Sequence, residues 1–310
     1  MLKLIQNEWM KLWSKKGTWI MVILLVVMIV GVSGLGKLTE GLNNSEAWTA
    51  DLRVELAQVE QELNATDLTE VEKSELITRQ QEIEQNIVDS IEMSKPISRE
   101  KIILDSFGMM SLVTLLMIIA SAGIVASEFS QGTIKMLLSR PVKRWKILTS
   151  KYLTVLLFGL LLTVVTYVSS VVGAFIFYPA AEGSSIAFYN SEVAVTAVFG
   201  ESAYLVLLAF VYVCVMATLA FMIGSVFRSS ALAIGVSLFL FFSGSMIVMF
   251  LERYAVAKFV LFAHDLTQYE LGYKVLESNT MLFSIAVLMA YVIVFLTISY
   301  TTFIKRDITA

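Results

Sequence analysis

Six runs of apolar residues, each long enough to cross a bilayer as a helix, dominate the sequence. The hydrocarbon core is about 30 Å thick and a helix rises about 1.5 Å per residue, so a span needs about 20 such residues. The runs lack the alternation of membrane barrel strands, and 57% of the chain is hydrophobic against 16% charged. The fold class is therefore predicted as an all-α membrane protein with six transmembrane helices. The predicted spans are residues 19–36, 102–126, 152–178, 203–226, 231–251 and 281–304.

Lysine and arginine residues divide unevenly between the two ends of these spans. The end that holds the termini, residues 127–151 and Arg228 carries thirteen basic and three acidic residues. The other end carries ten basic and twenty-three acidic residues. Short loops rich in lysine and arginine stay in the cytoplasm. We therefore expect both termini to be cytoplasmic and the chain to lie in the inner, or cytoplasmic, membrane.

Residues 1–18 have an amphipathic pattern. Their apolar side chains recur at helical spacing, with lysines mostly on the opposite face, which is typical of a helix lying along a membrane surface. The apolar positions are Leu2, Ile5, Trp9, Leu12 and Trp13. The alternative is a simple charged flank to the first span, where Trp and Lys are common in any case.

The outer segment 37–101 resembles a soluble helical protein. Leu52, Leu56, Val59 and Leu63 keep coiled-coil spacing, residues 64–67 interrupt it, and a second helical pattern follows. This predicts an extracytoplasmic helical hairpin between the first two spans. It could gate substrate, recognise a partner, or serve only as a solvated spacer.

Residues 252–280 mix apolar and polar side chains, which predicts an outer or re-entrant segment.

The sequence lacks the parts that would let the chain power transport by itself. No segment matches the phosphate-binding Gly-x-x-x-x-Gly-Lys-Ser/Thr loop, and the cores of the six predicted spans hold no charged residue that could relay ions. Asp105 lies at a span edge, and His264 lies in an outer loop where a lone histidine is usually solvated or hydrogen-bonded. A single cysteine, Cys214, allows no intrachain disulfide or cysteine metal cluster. No catalytic or metal-ligating residue is predicted, so a pump of this kind needs another polypeptide for energy.

The loop 127–151 is the longest segment on the cytoplasmic side. Ile134, Leu137 and Leu138 form a short apolar stripe, which predicts a small amphipathic helix beginning near Gly132 and ending before Pro141. Such a helix could dock into a groove on a partner protein. Alternatively, the cations of this loop only anchor it to anionic lipid, at about 1 kcal/mol each.

The same loop carries a family resemblance. The pattern Glu128-x-x-x-Gly132-Thr133-x-Lys135-x-Leu137-Leu138-x-x-Pro141-Val142-x-Arg144 closely resembles the loop between the second and third spans of the ABC-2 permeases. That family's six-span layout with cytoplasmic termini matches the whole chain. The segment Asn7-Glu8-Trp9-x-Lys11 and the stretch from Gly224 to Gly235 are also similar, with weaker motifs.

The resemblance implies a permease that works with a separate cytoplasmic ABC ATPase, with two copies of each subunit. ATP and Mg would then bind the ATPase, so this chain would bind no cofactor and catalyse no hydrolysis. Its other implied partners are a second permease copy or a homologue and membrane lipids, with no nucleic acid.

In that family the loop acts as a coupling helix seated in the ATPase. By resemblance, Glu128 begins the motif, Gly132 and Thr133 enter the helix, Leu137 and Leu138 are its buried contacts, and Pro141 and Arg144 set the return to span three. Lys135 belongs to the same motif. The outer hairpin departs from the minimal family plan.

The third span carries a polar stripe of four residues. It consists of Thr163, Thr166, Tyr167 and Ser170, and it could line a translocation path. Small polar residues also serve as ordinary contacts between packed helices.

The expected function is export of an amphipathic or hydrophobic compound such as an antimicrobial peptide, a drug or a lipid-like molecule. A non-transporting scaffold or sensor that binds through the outer hairpin is the alternative, and the uncharged spans disfavour an ion-coupled carrier.

Overall fold

Six helical segments of the computed structural model are long and apolar enough to cross a membrane. They are Lys16–Glu40, Arg99–Ser130, Arg144–Phe177, Val195–Val226, Ser230–Leu251 and Met281–Lys305. The structure describes residues 1–40, 45–63, 70–94, 97–133, 142–227 and 229–305. Within that part of the chain, helix length and composition confirm the predicted class, a helical membrane protein with six membrane-spanning helices.

The helices are numbered here in chain order. They are α1 Leu2–Trp13, α2 Lys16–Glu40, α3 Ser45–Leu63, α4 Glu70–Ser94, α5 Arg99–Leu104, α6 Met110–Ser130, α7 Arg144–Phe177, α8 Val198–Val226, α9 Ser230–Leu251, α10 Thr267–Glu270 and α11 Met281–Lys305. A 3-10 turn at Asp105–Met109 joins α5 to α6 in one continuous span. The helix that contains the predicted third span begins at Arg144. It therefore starts before the apolar run at residues 152–178 on which that prediction was based.

Helices α6 and α8 form the centre of the bundle. They approach closely at Gly224, where an added Cβ atom would lie 2.4 Å from the carbonyl oxygen of Ala122. Small residues bring membrane helices together in this way, because their backbones can then touch. Helices α2, α9 and α11 lie at the periphery and expose large apolar side chains such as Phe239, Phe242 and Ile293. Apolar surface of this extent is compatible with lipid as the surrounding solvent.

Helices α3 and α4 pack against each other between the first two spans. Leu52, Val59 and Ile83 are buried at their contact. Arg79 donates a hydrogen bond of 2.8 Å to the carboxylate of Glu55 and so links the two helices on their exposed side. The position of this helical pair outside the cytoplasm stays a prediction.

A β-hairpin that the sequence reading did not anticipate follows α7. Strand β1, Ser185–Phe188, pairs antiparallel with β2, Ser191–Ala194, and Phe188 lies opposite Ser191. Tyr189 in the turn has a φ of 51°, the left-handed conformation that a two-residue hairpin turn requires. Phe188 is buried in one apolar cluster with Leu271, which ties the hairpin to the α10 region.

Residues 252–280 fold into 3-10 turns at Ala255–Phe259 and Leu261–Ala263, followed by α10. His264 is fully buried, and its Nδ1 atom lies 2.7 Å from the hydroxyl of Ser284. This histidine is therefore hydrogen-bonded, one of the two ordinary states expected for it. Burial lowers the pKa of its imidazole. The depth of this segment in the membrane stays a prediction.

Candidate functional site at the basic end of the bundle

One end of the bundle gathers α1, the last turn of α6, the first turns of α7 and the last turn of α11; we call it the basic end. Arg144 donates a 3.1 Å hydrogen bond to the carbonyl oxygen of Ile304, and the hydroxyls of Thr149 and Tyr300 lie 2.6 Å apart. These contacts join the start of α7 to the end of α11. Segments far apart in sequence therefore meet around the residues that leave α6.

Helix α1 is held against α7 by aromatic contacts. The ring of Trp13 meets that of Phe158 edge-on, with 6.3 Å between the ring centroids, and it also contacts Trp19 on α2. The Trp19 indole N–H donates a hydrogen bond to the carbonyl oxygen of Trp13, and the Thr18 hydroxyl donates one to the carbonyl oxygen of Leu12. These bonds fix the angle between the end of α1 and the start of α2. The apolar face of α1, which carries Trp9 and Leu12, thereby packs against the bundle, and Glu8 and Lys11 reach α7 and α6 from its edge.

Four charged side chains and one hydroxyl meet where these helices join, with Glu128 and Lys151 buried and Lys11 at the exposed edge. We name this group the Glu128 cluster, and its members are Glu8, Lys11, Glu128, Thr133 and Lys151. The ammonium of Lys151 donates to Glu8 at 2.7 Å and to Glu128 at 3.1 Å. The Glu128 carboxylate also accepts hydrogen bonds from Lys11 and from the hydroxyl of Thr133. Three helices and the segment after α6 thus share one set of ion pairs.

Burial makes these pairs energetically demanding. The side chains of Lys151 and Glu128 are only 1% and 4% exposed. A charge removed from water costs several kcal/mol unless opposite charges and hydrogen bonds replace its hydration. Here two carboxylates face two ammonium groups, so the cluster is neutral and each charge has a partner. Loss of one member leaves another buried without full compensation.

Local geometry explains how Glu128 and Thr133 meet. Helix α6 ends at Ser130, and Gly132 adopts a φ of 70° just beyond it. A glycine in this left-handed conformation commonly terminates a helix, because residues with a Cβ atom rarely adopt it. The chain turns back at that point and brings the Thr133 hydroxyl to the Glu128 carboxylate. Gly132 therefore ends α6, while the predicted helix after it lies outside the described residues.

The motif residues divide between two groups. Glu128, Gly132, Thr133 and Arg144 lie together at the basic end, as the contacts above show. Lys135, Leu137, Leu138 and Pro141 lie outside the described residues. The first group forms the start and the return of the loop, and the coupling role assigned to the motif stays a prediction.

The four polar residues of the third span lie inside the bundle or at its helix contacts. Thr163 donates to the carbonyl oxygen of Gly159 in its own helix, and the Tyr167 hydroxyl lies 3.0 Å from that of Ser202 on α8. Thr166 and Ser170 are buried, and neither hydroxyl has a hydrogen-bond partner among the described residues. Their assignment to a translocation path stays a prediction.

Sequence reasoning missed three members of the cluster. The sequence indicates Lys151 only as a marker of membrane orientation, and Glu8 and Lys11 only as such markers and as part of a weak family motif. Lys151 lies inside α7 and bonds to Glu8, which is 143 positions away. The sequence contained one sign of the ion pair. Lys151 stands directly before a long apolar run, where a buried lysine needs a partner of opposite charge. Among the described residues, no group of three His, Cys, Asp or Glu could hold a metal ion.

The fold and this site define a polytopic membrane protein with six spans and an ion-paired cluster at one end of its bundle. The chain belongs to the family described as protein of unknown function DUF2705, whose family model matches residues 76–309. It is 36% identical over 315 aligned residues to the Uncharacterized protein YhcI of Bacillus subtilis (strain 168), covering 99% of each chain. It is 32% identical over 203 residues to the Uncharacterized membrane protein YdbK of the same organism, covering 64% of this chain and 78% of that one.

Proposed function

We propose that this chain is the permease subunit of an exporter whose ATP is hydrolysed by a separate ABC subunit. The observation that carries the proposal is the Glu128 cluster. Glu128 and Thr133 lie where the chain leaves α6, and Lys151 lies where it has entered α7. The loop between these helices is therefore anchored at both ends to the same buried ion pairs.

Such an arrangement suits a loop that receives force from a partner. A push on residues 131–143 acts on α6 through Glu128 and on α7 through Lys151, and it reaches α1 through Glu8 and Lys11. Ion pairs made by long side chains can exchange partners as helices shift, whereas close-packed apolar contacts resist continuous deformation. The Glu128 cluster can thus pass a small displacement to three helices together.

The proposed orientation places the basic end in the cytoplasm of a cell with this chain in its inner membrane. The excess of lysine and arginine at that end supports it. The helical pair α3–α4 then lies outside. The motif from Glu128 to Arg144 resembles the ABC-2 coupling loop, which supports an ATPase as the partner, two copies of each subunit, and an amphipathic or hydrophobic substrate.

The proposal is tested by isolation of the intact complex from membranes. Affinity-tagged permease, extracted in mild detergent from its native host, is expected to retain an ATPase that contains the phosphate-binding loop absent here. The double substitution Leu137→Ala, Leu138→Ala is expected to release that ATPase while membrane insertion is unchanged. Isolation of the permease without any ATPase, under conditions that preserve known membrane complexes, contradicts the proposal.

A scaffold or sensor is the second candidate, and the paired helices α3 and α4 favour it. Their buried contact at Leu52, Val59 and Ile83 makes them a defined surface rather than a structureless linker. Deletion of residues 42–96 separates the two candidates. Export that survives the deletion supports the permease, and a lost signalling response with no export in either form supports the sensor.

A further inference from the structure

A cavity of about 210 Å³ adjoins the Glu128 cluster between α1, α2, α6 and α7. Its polar wall contains Lys11, Lys15 and Lys151 with the carboxylates Glu8 and Glu128. Three ammonium groups therefore face two carboxylates, which leaves one excess positive charge. The apolar wall consists of Leu12, Met21, Ile119, Ile124 and Phe158. The cavity is thus amphipathic, with its charge at one side.

Lys15 supplies the excess charge. The carboxylates of Glu8 and Glu128 are engaged by Lys151 and Lys11, and among the described residues no carboxylate forms an ion pair with Lys15. Partial desolvation lowers the pKa of Lys15, the charges of Lys11 and Lys151 lower it further, and those of Glu128 and Glu8 raise it. Because both carboxylates are already engaged by other lysines, an anion in the cavity would supply Lys15 with an opposite charge.

A second feature of the cavity favours an anion. Ser230, the first residue of the 22-residue helix α9, lies on the cavity wall. The N-terminus of a helix carries partial positive charge and unpaired N–H groups, which attract phosphate and carboxylate. Lysine ammonium and helix N-terminus therefore act on the same space from two elements.

The shape of the cavity indicates how much of a ligand it holds. Pockets that enclose a complete drug-sized molecule usually measure about 300–1,000 Å³, so this cavity accommodates only part of an amphiphile. Helix α2 packs mainly on α7 and leaves a gap toward α6, where Gly17 and Gly123 present no side chain. An added Cβ atom at either glycine meets nothing within 4 Å. The remainder of a bound molecule can therefore extend from this gap into the surrounding lipid.

We propose that this cavity binds the anionic head group of a phospholipid from the leaflet at the basic end, with Lys15 as its main charged contact and the apolar wall against the first part of an acyl chain. Lipid is favoured over a free anion because apolar side chains such as Leu12, Ile124 and Phe158 line the cavity beside the charges. The inference rests on the proposed orientation only for the name of that leaflet, the inner one. Its test involves no ATPase, so its failure is distinct from that of the exporter proposal.

The test measures lipid retention by the purified full-length chain. The protein is mixed in detergent with equal amounts of phosphatidylglycerol and phosphatidylcholine, with or without inorganic phosphate, and bound lipid is counted by native mass spectrometry. One phosphatidylglycerol per chain is expected in preference to phosphatidylcholine. Lys15→Ala is expected to weaken its retention about fivefold, the effect of one lysine near an anionic lipid.

Two glycine substitutions make the test specific for the cavity. Gly123→Leu fills the open space and is expected to reduce phosphatidylglycerol retention about tenfold. Gly235→Leu on α9 is the matched control, because its added Cβ atom also meets nothing within 4 Å and it does not line the cavity. Equal retention of the two lipids, unchanged retention in Gly123→Leu, or displacement of the lipid by inorganic phosphate overturns the proposal.

Discussion

Two buried glutamates stand near opposite ends of the same span, about 40 Å apart along the helical rise. Glu100 forms an ion pair of 2.7 Å with the adjacent Arg99 and accepts a hydrogen bond of 2.7 Å from the backbone N–H of Ala181. Glu128 has the side chains of Lys11, Thr133 and Lys151 as its partners. Both carboxylates are almost fully buried, but their surroundings differ in kind.

The two ends differ in whether the contacts of their glutamate can follow a shift of the helices. Glu100 is bound to its sequence neighbour and to backbone, so it fixes the chain after α7 against the start of α5. Glu128 is bound to lysine side chains from α1 and α7, which are long and flexible enough to follow a shift of either helix. We infer that the Glu100 end maintains the fold and that the basic end transmits movement.

The largest effect on stability is expected from Lys151→Met. This change removes a buried ammonium and leaves Glu8 without its ion-pair partner and Glu128 with less compensation. The free energy of unfolding is expected to fall by about 3 kcal/mol, as in other broken buried pairs, and thermal unfolding in detergent would measure it. Lys143→Met, at an exposed position directly before α7, is the control and is expected to change the value by less than about 0.5 kcal/mol.

A double-mutant cycle separates the two ends directly. Glu128→Gln and Lys151→Met share one ion pair, so their effects on the unfolding free energy are expected to deviate from additivity by about 1–2 kcal/mol. Glu100→Gln and Lys151→Met share no contact and are expected to add within about 0.5 kcal/mol. Additive behaviour of the first pair would show that the cluster does not act as a unit.

Glu100→Gln is expected to have a smaller effect. The amide oxygen of glutamine can still accept the hydrogen bond of Ala181, and only the charge opposite Arg99 is lost. We expect about 1–2 kcal/mol of destabilisation, measured by the same thermal unfolding. A loss as large as that of Lys151→Met would erase the proposed distinction between the ends.

The smallest effect concerns pH and the far end of the bundle. Burial lowers the pKa of His264 below its ordinary value of 6.5, so folding favours the neutral imidazole. The resulting stability is present above about pH 6.5 and is lost as the pH falls toward the lower value in the folded state. The midpoint of thermal unfolding is expected to fall more between pH 7.5 and 5.5 in the wild type than in His264→Gln. Identical pH profiles would contradict this.

The number of membrane helices was predictable because a long apolar run without alternation is stable in lipid only as a helix. The run that forms α8 is an example. The sequence could not locate the start of α7 at Arg144, because hydropathy measures apolar content and this helix continues through Lys146 and Lys151. The β-hairpin escaped notice because its two strands have four residues each. Asn190 in its turn was the available signal.

The candidate site was predictable only in part. Glu128, Gly132 and Thr133 belong to a local motif, and local motifs are visible in sequence. The pairing of Lys151 with Glu8 depends on how α1 packs on α7, to which the contact of Trp13 with Phe158 contributes. No spacing rule connects residues that tertiary packing alone brings together.

The most direct test of transmission through the basic end compares transport with ATP hydrolysis in this chain reconstituted with the proposed ATPase. With Glu128→Gln we expect hydrolysis to continue while transport per ATP falls at least about tenfold, because the ionic contact between α6 and α7 is lost. Glu100→Gln is the matched control and is expected to keep the wild-type ratio. An unchanged ratio of transport to hydrolysis in Glu128→Gln would contradict the account.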